Sequence, residues 1–229
     1  MKIISLLALA AAPALTAQFV LYGWDFDNGA TGATQTVDFF DAGSVTTTDI
    51  TAGGGLIIAG GTRGDTGWGS RNAISATPAD ALANDQFFSF TVNPTQALQL
   101  DELRLSVAVR EAEANKGVTQ YTLYSALDSF AAPVGSATSS PVADDDPVVY
   151  EILTINLGGL SVSSPTEFRL AANSSFSQGN IDPQFIVTWI GSDSAAFNDI
   201  QLTAVPEPSF YGLIAAFAAL FLVYRRRHA

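Results

Sequence analysis

LQLDELRLSVAVR, the stretch from Leu98 to Arg110, decides the fold. Leu103, Leu105, Val107 and Val109 occupy every second position, with Arg104, Ser106, Ala108 and Arg110 between them. Side chains alternate faces along a strand, so this period of two predicts a half-buried sheet strand. Phe185, Val187 and Trp189 repeat the pattern near the other end of the body. Working outward, short runs rich in Val, Ile, Thr, Phe and Tyr are separated by Gly, Asn, Asp, Ser and Pro. They predict strands over 19–26, 36–40, 45–50, 55–59, 86–92, 98–110, 118–127, 148–157, 166–172, 184–190 and 197–204. The one helical signal is PADALAN, Pro78 to Asn84, long enough for a short turn. So many strands without intervening helices imply antiparallel pairing. A body of this size then closes as an all-β, two-sheet sandwich of jelly-roll-like form.

Two stretches read as loops at the sandwich rim. Gly53 to Ser70 (GGGLIIAGGTRGDTGWGS) is glycine-rich and frames Trp68, and Ala131 to Pro147 is small, polar and acidic. No internal repeat of fixed period argues for a propeller or solenoid.

The 229 residues are 48% hydrophobic, enough for a real core. There is no cysteine, which excludes disulfides, thiolate zinc sites and thiol nucleophiles. The single histidine, His228, follows the C-terminal arginines, so a Ser-His-Asp mechanism and histidine-ligated zinc in the body are excluded. Between Gln18 and Val205 there are six basic and 21 acidic residues, a balance of −15 against −12 for the whole chain. Such a surface repels phosphate backbones, and no nucleic-acid partner is expected.

The body offers three kinds of candidate site. Carboxylate pairs such as Asp25/Asp27, Asp101/Glu102 or Glu111/Glu113 can be imagined as a glycosidase acid and base. In a strand, however, residues i and i+2 share a solvated face, and so acidic a chain produces such pairs by chance. Asp144, Asp145 and Asp146 gather three carboxylates in one loop, and Trp24 to Gly29 (WDFDNG) offers oxygen ligands beside a turn. Either is a candidate for structural calcium, although neither has EF-hand spacing. No other cofactor is expected. Trp24, Trp68, Trp189, Tyr121 and Tyr124 can be arranged as a sugar-stacking surface, and Trp68 is the candidate glycan contact because its loop belongs at the surface. For Trp189 the core is the favoured reading. Asn173-Ser174-Ser175 has the form of a glycosylation sequon.

The two termini carry a different message. MKIISLLALAAAPALTAQ has a cation at Lys2, an apolar run and small residues at the expected cut, the layout of a secretory signal peptide over 1–17. Cleavage after Ala17 is the first choice and after Ala14 the second. Residues 18–204 form the ectodomain, and 205–229 form a tail: VPEPS with Pro206, Glu207 and Pro208, the apolar run Phe210 to Tyr224, then Arg225, Arg226 and Arg227. As a helix the run reaches about 22 Å, short of a hydrocarbon core of roughly 30 Å. Snorkelling arginines extend it to a short span, and they place the body outside the cell by the positive-inside rule.

Val-Pro-Glu-Pro-Ser, a short apolar helix and a terminal arginine cluster together resemble the PEP-CTERM sorting signal of exopolysaccharide-producing Gram-negative bacteria. The likeness covers Val205 to Arg227. It implies that Pro206, Glu207 and Pro208 are read in the inner membrane by an exosortase, which cuts near the motif and passes the body to the surface or matrix. The body resembles the jelly-roll ectodomains of the same proteins through YTLYSALDSF (Tyr121 to Phe130), Phe168-Arg169-Leu170 and FNDIQL (Phe197 to Leu202). The expectation is a non-enzymatic envelope or matrix protein, anchored and then released, with exosortase and extracellular polysaccharide as partners. The alternatives are a secreted carbohydrate-active enzyme using two carboxylates and a purely structural matrix protein.

Overall fold

A computed structural model describes residues 18–26, 32–60, 68–71, 75–109, 119–140, 149–174, 187–190 and 199–205. Fourteen strands and one α-helix follow in chain order: β1 (Phe19–Trp24), β2 (Thr34–Gln35), β3 (Phe39–Phe40), β4 (Ile50–Ala52), β5 (Ile57–Gly60), β6 (Trp68–Arg71), α1 (Pro78–Ala83), β7 (Phe87–Val92), β8 (Leu98–Val109), β9 (Thr119–Ser125), β10 (Pro133–Thr138), β11 (Val149–Val162), β12 (Thr166–Ser174), β13 (Val187–Ile190) and β14 (Ile200–Val205). They make two antiparallel sheets, an all-β sandwich.

The six-stranded sheet runs β10-β9-β12-β7-β4-β2. The eight-stranded sheet is built on β8. β11 pairs along one edge of β8 for its full length, and the other edge is divided: β14 pairs with Gln99 to Leu105, and β13 with Val107 to Val109. β1 and β3 extend the sheet from β14, and β6 and β5 extend it from β13.

The inward half of the period-two reading of β8 holds from Leu103 to Val107, whereas Ser106, expected on the solvated face, is buried. Leu103, Leu105 and Val107 are buried together with Phe88, Phe90 and Val92 of β7 and with Phe168, Leu170 and Ala172 of β12. Trp24 bridges the sheets, its ring 5.3 Å from that of Phe90, which stacks on Phe168 at 5.6 Å. Paired aromatics of this kind add about 0.5–1.5 kcal/mol each to the burial itself.

The apolar spacing of β8 slips between Leu100 and Leu103, and the neighbouring strands show why. From Leu202↔Leu103 to Ala204↔Leu100, β8 carries one residue more than β14. At the same level β1 carries an extra residue between Val20 and Tyr22, and β11 carries two extra between Asn156 and Leu160. The surplus in β11 is absorbed at Gly158 and Gly159, whose φ values of 61° and 74° favour glycine. A line of bulges therefore crosses four strands. Thr203 sits in it, 4% exposed: its hydroxyl accepts from the Glu102 N–H and donates to the Glu102 carbonyl, both at 3.2 Å, and accepts from Gln18 Nε2 at 2.8 Å.

Several expectations are corrected. The stretch Gly53 to Ser70 is not all loop: β5 and β6 form an antiparallel hairpin inside it, with Ile57 opposite Arg71 and Gly60 opposite Trp68. Ala131 to Pro147 contains β10, which pairs with β9 and sends Val134 and Ala137 against the core. The expected strand at 45–50 is reduced to a single bridge, Val45 with Pro94, before β4 begins. The expected strand at 36–40 shrinks to β3. The short helix does form. Thr77 caps it by accepting the Asp80 N–H at 3.1 Å, and its Ala81 packs with Phe87, Tyr124 and Ala171 on the outer face of the six-stranded sheet.

Among the described residues no helix is long and apolar enough to cross a membrane. The expected signal peptide, the sorting motif at 206–208, the apolar run 210–224 and Arg225 to Arg227 lie outside the described residues.

Candidate functional site

The aromatic residues expected at a sugar-stacking surface are mostly interior. Trp24 and Tyr121 are 0% and 1% exposed, on inward positions of β1 and β9. Burial raises the Tyr121 phenol well above its ordinary pKa, with the Glu151 charge adding to the effect. Tyr124 faces outward but lies beneath α1 and the turn that follows β9, and burial raises its pKa as well. The backbone of Trp68 is in β6 opposite Ile190, and that of Trp189 in β13 opposite Gly69; the two side chains lie outside the described residues.

The acidic candidates divide in the same way. Asp27, Glu111, Glu113 and Asp144 to Asp146 lie outside the described residues. The Asp25 N–H donates to Asp38 Oδ2 at 2.7 Å, and the Phe26 N–H to the buried Asp199 Oδ2 at 2.9 Å, so carboxylates secure the backbone after β1. Glu102 sits in the bulge, where Oε2 accepts from Gln18 at 3.3 Å. Among the described residues no group of three or more His, Cys, Asp or Glu side chains is placed to hold a metal. Asn173, the first residue of the sequon, is 2% exposed with its Nδ2 3.4 Å from the Ala76 carbonyl, so it is not open to a glycosylating enzyme.

A different group of side chains comes together on the outer face of the six-stranded sheet. Because Phe168 and Leu170 point into the core, Glu167 and Arg169 point out. Arg169 Nε donates to Glu167 Oε1 at 2.7 Å, and its Cζ lies 4.7 Å from the Phe87 ring centroid and 4.0 Å from that of Phe130. A half-exposed ion pair of this kind is screened by solvent and contributes about 0–1 kcal/mol. The rings matter more, since they hold the guanidinium in one place.

Phe130 reaches Arg169 through an unusual turn. After the 3-10 segment Ala126–Asp128, both Ser129 and Phe130 have positive φ, 60° and 62°. Neither is glycine, and each such residue costs on the order of 1 kcal/mol. Asp128 secures the turn by accepting from the N–H groups of Ala131 and Ala132 at 3.2 and 2.9 Å.

Register extends the group across the sheet. Arg169 is opposite Ser89, Ser89 opposite Thr51, and Thr51 opposite Thr34, while Glu167 is opposite Thr91 in the adjacent row. The Thr34 and Thr51 hydroxyls are 3.3 Å apart. Four strands at a spacing of about 4.8 Å make this row roughly 14 Å long. On the other side of Arg169 the row meets Tyr124, which packs with Ala81 of α1.

The sequence matches no family model and no curated protein. The chemistry of the row is therefore read from its own atoms. A guanidinium only donates hydrogen bonds and a carboxylate only accepts them. Here the two stand side by side, continued by hydroxyls that do both. Apart from Arg169 Nε with Glu167 Oε1, neither group has a hydrogen-bond partner among the described residues. In Phe168-Arg169-Leu170 strand alternation by itself turns Arg169 outward. That signal was present. The approach of Phe130, and the register that aligns Ser89, Thr51 and Thr34, had none.

Proposed function

We propose that this chain is an exported, non-enzymatic β-sandwich protein, delivered to the envelope or extracellular matrix of a Gram-negative bacterium by a PEP-CTERM-type tail. The carrying observation is the order of elements from Val205 to Arg227: Pro206-Glu207-Pro208, fifteen apolar or nearly apolar residues, then three arginines. An apolar run of about 22 Å is poor as a permanent span and suits a transient one, held in the inner membrane until an exosortase cuts beside the motif. The signal-peptide layout of residues 1–17 supports the same route.

The body is then cargo, a jelly-roll-like domain that associates with extracellular polysaccharide. The outward Arg169, Glu167, Ser89, Thr51 and Thr34 support that role, since they offer donors and acceptors with an apolar flank at Phe130. Neither His nor Cys is available in the body for nucleophilic or metal chemistry.

Mass spectrometry of the mature protein from its native host tests the route. The expected product starts at Gln18 or Leu15 and has lost the arginine cluster. An intact C-terminus through Ala229 in the surface fraction refutes processing.

A further inference from the structure

We infer that Arg169 and Glu167, with the row Ser89, Thr51 and Thr34, form a binding strip for a neutral polysaccharide, read through pairs of adjacent hydroxyls. The inference rests on the proposed association with polysaccharide and assigns it a place and a chemical class. Each hydroxyl of a vicinal diol both donates and accepts. Set against this pair, one hydroxyl oxygen receives the guanidinium N–H groups while the other gives its proton to Glu167. An isolated cation or carboxylate would not discriminate a diol from an ordinary counter-ion, whereas the two together do.

The setting favours this use. Phe87 and Phe130 fix Arg169 at 4.7 and 4.0 Å, so little side-chain freedom is lost when a ligand arrives. The two strained residues, Ser129 and Phe130, bring the second ring into place, and backbone strain of this kind concentrates at binding sites. Phe130 is half-buried, which leaves part of its surface for the C–H face of a sugar. Beyond Arg169, hydroxyls continue in one direction for roughly 14 Å, which fits an extended chain better than a single sugar. Charge selects neutral over anionic chains: the protein carries −12, and Glu167 stands in the strip itself.

Affinity electrophoresis of the purified full chain, in a zwitterionic detergent free of sugar headgroups, tests this. Native gels are cast with dextran, laminarin, xylan or galactomannan, and with alginate or polygalacturonate. At least one neutral polymer is expected to retard the protein, and neither anionic polymer is. Arg169→Lys, which loses the fork, and Glu167→Gln are each expected to weaken retention about tenfold. The double variant Thr34→Val/Thr51→Val, placed on outward positions of edge and near-edge strands, is expected to weaken it about threefold with an unchanged melting temperature. Retention by Arg169→Lys and by the double variant equal to that of the parent overturns the strip while leaving polysaccharide association standing. Retardation by alginate or polygalacturonate alone overturns the neutral class. No retardation by any polymer overturns both the strip and the association.

Discussion

Replacing Thr203 by valine isolates the hydroxyl that holds the line of bulges. Valine has nearly the same shape and an equal or better preference for strands, so packing and propensity do not account for a loss. What disappears is one group bonded to both the N–H and the carbonyl of Glu102 at 3.2 Å, and to Gln18 Nε2 at 2.8 Å. At Glu102 the β8–β14 register has slipped, so the ladder supplies no substitute partner. At 4% exposure, water does not replace it freely either. Leaving a buried backbone group unpaired costs about 1–3 kcal/mol, and with two affected the loss is set at about 2 kcal/mol, allowing for relaxation. For a domain of this size that corresponds to a fall in Tm of roughly 4–8 °C. Thermal unfolding followed by far-UV circular dichroism reads it directly. Thr203→Ser keeps the hydroxyl and is expected to recover most of the loss, whereas Thr154→Val, exposed on β11, is expected to change nothing. A Thr203→Val protein melting within a degree of the parent, or a serine variant as weak as the valine, refutes the reasoning.

Gly135→Ala probes the approach of β10 to β11: a Cβ there meets Ile155 Cγ2 at 2.7 Å and the Asn156 carbonyl oxygen at 3.0 Å, so a loss of about 1–3 kcal/mol is expected in urea unfolding, and an unchanged midpoint contradicts it. Alkaline titration probes Tyr22, Tyr121 and Tyr124, whose folded-state pKa values are raised by burial, opposed at Tyr22 by the Asn93 backbone N–H and reinforced at Tyr121 by Glu151. Below about pH 10 both folded and unfolded chains keep these protons; above it the unfolded chain releases them first, so stability is lost as pH rises. Phenolate absorbance at 295 nm is expected to rise for these residues together with loss of the circular dichroism signal, and complete ionisation in a protein that stays folded contradicts the burial.

The fold class was legible because the alternation in β8, and the Val-, Ile-, Thr- and aromatic-rich runs between turn residues, survive in the sequence with little noise. The bulge line was half legible. The shift from Leu98 and Leu100 to Leu103 and Leu105 breaks the period of two, but only the matching slips in β1 and β11 distinguish a bulge from the end of a strand. The β5–β6 hairpin was hidden by composition, because Gly-rich runs signal turns whichever backbone pairs with them, and register is a property of two strands. The position of Phe130 beside Arg169 depends on left-handed backbone at Ser129 and Phe130, which residue type does not announce. The reading of Tyr121 and Tyr124 as surface aromatics failed because a helix of six residues covers one and the opposing sheet covers the other.

Division of one edge of β8 between β14 and β13 has a consequence for amide exchange. The amides of Leu100 to Leu105 are enclosed by β11, β14 and the packed second sheet, whereas those of Val107 to Val109 depend on β11 and on the ribbon of β13, β6 and β5. Among the described residues the strand pairing links that ribbon to the rest of the sheet through β8, so it can open without unzipping β14. A single strand then holds two populations of amide protons, one released by a local event and one only by global unfolding.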